Sequence, residues 1–185
     1  MVISHDREKL IHSINFFARH TRKCGKVKLY KLLYFLDFEH FKLTGRSVTG
    51  LYYNAWPMGP VPVTLHDEID APAADMAAIV GFEKKSIRAG AQEMLAVTPR
   101  ADFSEQHFSR RELSILSDLA ARYRDAKADD MIEATHLENL PWHKVYNQAG
   151  ARQARIPYDL ALRADERDKM RRIVAEREEL LGRLG

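Results

Sequence analysis

A helix that is apolar around its whole circumference cannot lie on a protein surface, and residues 26–43 predict one. Leu29, Tyr30, Leu32, Leu33, Tyr34, Phe35, Leu36, Phe38 and Phe41 surround its axis, so it belongs among other elements. Yet the same stretch carries Lys31, Asp37, Glu39 and His40. Directly after it, Tyr52 to Pro60 packs two tyrosines, a tryptophan, two prolines and a glycine into nine residues. That density of aromatics and rigid turns describes a specified structural core rather than a catalytic loop.

The flanking segments read as helices with one small sheet. Leu10, Ile11, Ile14, Phe17 and Ala18 give one apolar face to a helix over 6–22, with Asp6 as its cap and Gly25 as its close. Val48–Trp56 favours extended backbone, after which Pro57, Gly59, Pro60 and Pro62 argue against regular structure beyond a helix's first turn. A short helix is expected over 61–69 and a weak one over 71–80. Phe82–Ile87 and Glu93–Thr98 form a hairpin around Gly90. Ser109 with Glu112 is a capping box, followed by the stripe Leu113, Leu116, Leu119, Ala120 and Tyr123. Helical segments follow over 129–137 and 141–147, and Pro157 interrupts before a charged helix over 165–184. That helix bears Met170, Ile173, Val174, Leu180, Leu181 and Leu184, a stripe able to pack on its own domain, to dimerise or to dock on a partner. The fold class is mainly α with a small antiparallel β element (α+β). One compact helical domain is expected over 1–160, with 161–185 as a charged amphipathic helix packed on it.

A chain of 185 residues with 45% apolar content sustains one core, and a net charge of +3 permits nucleic-acid binding without implying it. The N-terminal MVISHDREKL lacks the apolar run of a secretory signal, and no segment is long and apolar enough for a membrane span. A cytoplasmic protein with no membrane partner is the expectation. Eight histidines and the single Cys24 prompt a search for metal or nucleophilic chemistry. Asp37 and His40 share a helix face but read as a hydrogen-bonded core or cap pair. His5-Asp6 and His66-Asp67 lack companion ligands at metal spacing. Cys24 has cationic neighbours that favour a thiolate, but no local signature of a positioned base, so a bystander thiol is the better reading. No nucleophile elbow or phosphate-binding glycine loop is present. Neither an enzyme nor a cofactor is expected.

Arg19, Arg22, Lys23, Lys26, Lys28 and Lys31 place six cations between positions 19 and 31 without one acid. A solvated helix-turn face, an acidic protein partner and nucleic acid all remain open as explanations.

Lys31-Leu32-Leu33-Tyr34-Phe35, His40, Leu43-Thr44-Gly45, Ala55-Trp56 and Gly59-Pro60-Val61, followed by Thr135-His136 and Pro141-Trp142, resemble in order and spacing the Panacea domain. This is the SocA-like antitoxin family, also known as GepA-like phage-associated proteins. The resemblance runs from about Val27 to Ile156. It departs at His66-Asp67-Glu68, where an aromatic is common, and does not reach the final helix. It implies an antitoxin that neutralises a cognate toxin, encoded nearby, by direct binding. It also allows an adaptor role toward a protease, described for one member, and supplies no catalytic residue. Lys31, Leu33, Tyr34, His40, Gly45, Trp56, Gly59, Pro60, Thr135, His136, Pro141 and Trp142 then read as scaffold. Partner contacts are expected from Arg19, Arg22, Lys23, Lys26 and Lys28, from the hairpin around Gly90, or from the final helix. The alternatives are a nucleic-acid-binding regulator repressing its own operon and, behind it, a metal-dependent hydrolase.

Overall fold

Two helices open the fold in the computed structural model, which describes residues 5–87, 92–137 and 140–184. Helix α1 (Asp6–His20) starts one residue earlier than a cap at Asp6 would place it. His5 holds the cap position without a side-chain bond, and Asp6 with Glu8 lies in the first turn, where an acid still favours the helix dipole. Gly25 does not close α1. Thr21 ends that helix, its N–H and hydroxyl both returning to the Phe17 carbonyl, and Gly25 is instead the extended N-cap of α2 (Lys26–Thr44). Gly25 is a glycine for a packing reason, since a Cβ there would lie 2.9 Å from the Met94 side chain. Helix α2 runs through the middle of the protein, as its apolar circumference requires. Leu29, Leu32, Leu33 and Leu36 are fully shielded, and α1 packs around it together with the later helices at Arg110–Arg122 and Ala128–His136. Gly45, at φ +71°, ends it in the left-handed conformation that favours glycine.

The end of the extended run forms β1 (Asn54–Trp56), and the proline-rich stretch after it, expected to be irregular, supplies its hairpin partner β2 (Gly59–Val61). Ala55 donates its N–H to the Ala154 carbonyl at 2.8 Å, and its own carbonyl accepts from Gln153 at 2.8 Å. Its polar groups therefore face away from β2, and the Ala55–Pro60 pair needs no bond from the proline nitrogen. Short helices α3 (Val63–Glu68) and α4 (Ala74–Ile79) lead to the second hairpin, β3 (Val80–Ile87) with β4 (Gln92–Pro99). It is antiparallel, with register from Val80↔Pro99 to Ile87↔Gln92, and its tip around Gly90 lies outside the described residues.

Helix α5 (Arg110–Arg122) carries the expected capping box. The Ser109 hydroxyl accepts from the Glu112 N–H at 3.3 Å, while the Glu112 carboxylate accepts from the Ser109 N–H at 2.6 Å. Helix α6 (Ala128–His136) and the short α7 (Pro141–His143) follow, α7 continuing as one π turn over Lys144–Gln148. A 3-10 turn at Tyr158–Ala161, which sequence patterning does not foretell, brings Tyr158 onto Phe38 with ring centroids 4.4 Å apart. The final helix α8 (Ala164–Leu184) rests on the domain through its leading half. Met170 is buried against Gly45, and Arg177 donates to the Thr44 carbonyl at 3.0 Å. Leu180 is 58% exposed, and the Leu181 and Leu184 side chains lie outside those described. Among the described residues no helix is long and apolar enough to cross a membrane.

Candidate functional site

Three polar residues of α2, Lys28, Lys31 and His40, turn inward to donate to backbone carbonyls of the turns around them. Lys31 is only 1% exposed, and its ammonium donates to the Pro60 carbonyl at 2.9 Å, the group that β2 directs away from β1. Burial pushes this lysine down to about 7. Gly59 (φ +97°) lets the β1–β2 turn close over it, because a Cβ there would stand 2.8 Å from both Lys31 Cε and Thr135 Oγ1. On the far side of the turn, Trp142 donates its indole N–H to the Trp56 carbonyl at 2.9 Å. His136 stacks on Trp142 with centroids 3.7 Å apart and Tyr146 stacks on it at 4.6 Å. Burial first, and the neighbouring Lys31 second, push His136 below the ordinary histidine range. Lys31, Gly59-Pro60, Thr135-His136 and Pro141-Trp142, far apart in sequence, thus converge on one closed centre. Leu33 and Tyr34 are buried beside it, Tyr34 with its ring against Phe38.

Asp37 and His40, expected as a pair, each bond elsewhere. Asp37 is fully buried and accepts from the Val48 N–H (2.8 Å), the Thr49 N–H (2.9 Å), the Thr49 hydroxyl and the Tyr53 hydroxyl (2.7 Å). Burial pushes its carboxyl up to about 6 against the pull of these donors. The carboxylate therefore organises the 48–53 crossing. His40 donates from Nδ1 to the Arg46 carbonyl at 2.8 Å and is held below its ordinary range by burial. Its Nε2 lies 4.0 Å from Glu112, which binds Lys9 at 2.7 Å. Burial pushes Glu112 up, but its bonds from Lys9 and Ser109 outweigh that and keep it below the usual range. Among the described residues no group of three or more His, Cys, Asp or Glu could hold a metal ion. Cys24 is buried and its thiol is pushed up to about 11 by that burial, the reverse of activation.

The cationic cluster divides in two. Lys28, expected on the surface, is 1% exposed and donates to the carbonyls of Arg22 (2.9 Å), Arg124 (3.1 Å) and Ala126 (2.8 Å). It ties the α1–α2 turn to the end of α5 and is withdrawn from the candidate contact surface. Arg19 bonds Asn15 at 2.9 Å and the Ala101 carbonyl, and Arg22 pairs with Asp125 at 3.1 Å. Lys23 and Lys26 remain, on the rim of an open groove of about 870 Å³ floored by Val27, Met58, Met94 and Leu95. Lys127, from the start of α6, is the third cation on that rim. Lys127 escapes the sequence reading because it lies about a hundred positions from the 19–31 cluster, and only the fold brings it to Lys23.

A family model described as antitoxin SocA-like, Panacea domain, matches residues 29–143. The match spans α2 through α7 and takes in every segment of the closed centre, while α1 and α8 lie outside it. No curated protein and no solved structure matches the chain.

Proposed function

The chain belongs to the SocA-like antitoxin family of Panacea domains, and from that membership we propose that it neutralises a cognate toxin in the cytoplasm by binding it directly. The observation that carries this reading is the extent of the match, which covers the central helix and each element locked onto it. The interior supports it physically. Lys28, Lys31, Asp37 and His40 are each spent on internal hydrogen bonds, so their chemistry serves the scaffold. A binding module needs only a surface able to bury about 1,200–2,000 Å² in total around a few anchoring side chains. In this reading the chain is not an enzyme, and delivery of the bound toxin to a protease is a further step the same surface allows.

The test is genetic and direct. The small reading frame beside this chain's gene is expressed alone and together with it. Growth arrest that co-expression relieves, with the two products co-purifying, is the expected result. An adjacent product whose toxicity this chain leaves intact would refute the assignment.

A second reading has its own observation. Arg46, Arg110, Arg111 and Arg177 border a cleft of about 520 Å³ beside the start of α5, a setting suited to phosphate. Repression of its own operon would appear as salt-dependent binding to promoter DNA, and no binding at low salt removes it.

A further inference from the structure

The groove beside Lys23 and Lys26 contains an unpaired strand edge. Strand β4 pairs with β3 along one side, and Arg100 donating to the Ile79 carbonyl at 2.9 Å fixes which residues face that partner. The period-2 alternation of an antiparallel ladder then turns Met94 and Ala96 toward β3, and turns Glu93, Leu95 and Val97 away from it. The same phase is read independently from the other side, where Val97 donates to the Cys24 carbonyl at 2.8 Å and Gly25 bridges Ala96. At Lys26 the covering chain leaves to begin α2. The N–H groups of Leu95 and Glu93 and the Glu93 carbonyl therefore face the groove, with no backbone partner among the described residues.

The walls carry two kinds of chemistry. Val27, Leu95, Met94 and Met58 are apolar, and Met58, at the tip of the β1–β2 turn, is 54% exposed. Methionine at an exposed groove wall adapts to varied apolar shapes. Lys23, Lys26 and Lys127 stand above them, none in an ion pair among the described residues, against the carboxylates of Glu93 and Asp129. Unpaired backbone amides, an apolar floor and a cationic rim together define an occupant.

We infer that this groove takes an extended segment of the partner protein, bearing apolar and acidic side chains, which adds as a strand to the open edge of β4 beyond Gly25. Main-chain bonds to Glu93 and Leu95 hold the segment, its apolar side chains enter between Met58 and Met94, and its carboxylates meet Lys23, Lys26 and Lys127. A nucleic-acid backbone fits less well, because its phosphates would face Glu93 and Asp129 and its bases would meet no aromatic platform on this floor. This assignment rests on the toxin-binding reading and names the surface that serves it.

Two variants of the full chain test it against the product of the adjacent reading frame. Glu93→Pro removes one N–H from the open edge while leaving the β3 ladder intact, since Glu93 makes no bond across it. Binding is expected to weaken about tenfold, the worth of one hydrogen bond. The triple variant Lys23→Glu, Lys26→Glu and Lys127→Glu is expected to weaken it on the order of 100-fold, with the unfolding midpoint little changed in both. In the wild-type complex, amide hydrogen exchange at Glu93 and Leu95 is expected to slow. Unchanged affinity in both variants, or unprotected amides in the complex, overturns the groove while leaving neutralisation standing. Variants that alter only self-association or only DNA binding overturn it too, by naming a second copy or a nucleic acid as the occupant. A wild-type chain that neither binds nor neutralises the adjacent product overturns the toxin-binding reading itself.

Discussion

Lys28 and Lys31 differ from Lys23 and Lys26 in nothing that a residue type records, yet the first pair is closed inside the protein and the second borders open solvent. The difference lies in the carbonyls each can reach. Lys28 meets three carbonyls at chain turns, and Lys31 meets the one that Pro60 directs inward. A buried ammonium is tolerated because carbonyls replace its water, and without it those of Arg22, Ala126 and Pro60 would lose this donor. Among the described residues no such acceptors converge on Lys23 and Lys26, so their charges face water, available to something outside the chain. The closed centre should therefore govern stability and the open groove should not.

The largest effect expected in the closed centre comes from Trp142→Ala, which removes the ring between His136 and Tyr146 and the donor to Trp56. A loss of about 3–5 kcal/mol in urea unfolding is expected. Lys28→Met comes next, at about 3 kcal/mol, because it strands carbonyls at the α1–α2 turn and the end of α5. A change under about 0.5 kcal/mol in either variant would break the distinction between the two pairs.

Lys31 and Asp37 sharpen the comparison through pH, with opposite signs. An amine pushed down to about 7 binds fewer protons in the folded chain than in the unfolded one between there and the ordinary lysine range. Stability should thus rise as pH climbs across that window, and that increment should be lost as pH falls back to 7. Asp37, pushed up to about 6, holds its proton longer in the folded chain, so its contribution falls as pH rises from the ordinary aspartate range to 6. Lys31→Met should flatten the first slope and Asp37→Asn the second, both read from unfolding midpoints across pH. Slopes that survive these substitutions would place the titrating groups elsewhere.

The central burial of α2 and the Ser109–Glu112 box were legible in the sequence because both are local patterns, one of periodicity and one of spacing. The inward turn of Lys28 was not, since two of its acceptors lie 96 and 98 positions away. Pro60 in a strand was equally hidden, because the bonds that make it tolerable run from Ala55 to residues 153 and 154. The resemblance to Panacea domains named the residues of the closed centre without showing that they touch. The groove was least legible of all. Its walls come from four separate segments, and its open edge follows from the phase of a β-ladder, which hydrophobic patterning does not encode.

The smallest expected effect is also the one that separates a solvated face from a working surface. Lys26 is the first residue of α2, a helix with no side-chain cap and no acid in its first turn. A cation at that end opposes the helix dipole, so Lys26→Glu is expected to stabilise the chain by about 0.3–1 kcal/mol. A solvated face with no partner gives no reason to keep lysine where glutamate would be more stable. If thermal unfolding shows the gain and neutralisation of the adjacent gene's product is weakened by the same substitution, Lys26 is held against stability for the sake of the groove. If the gain appears and neutralisation is untouched, the rim charge is incidental, and the open pair of lysines differs from the closed pair only in lacking carbonyls to bind.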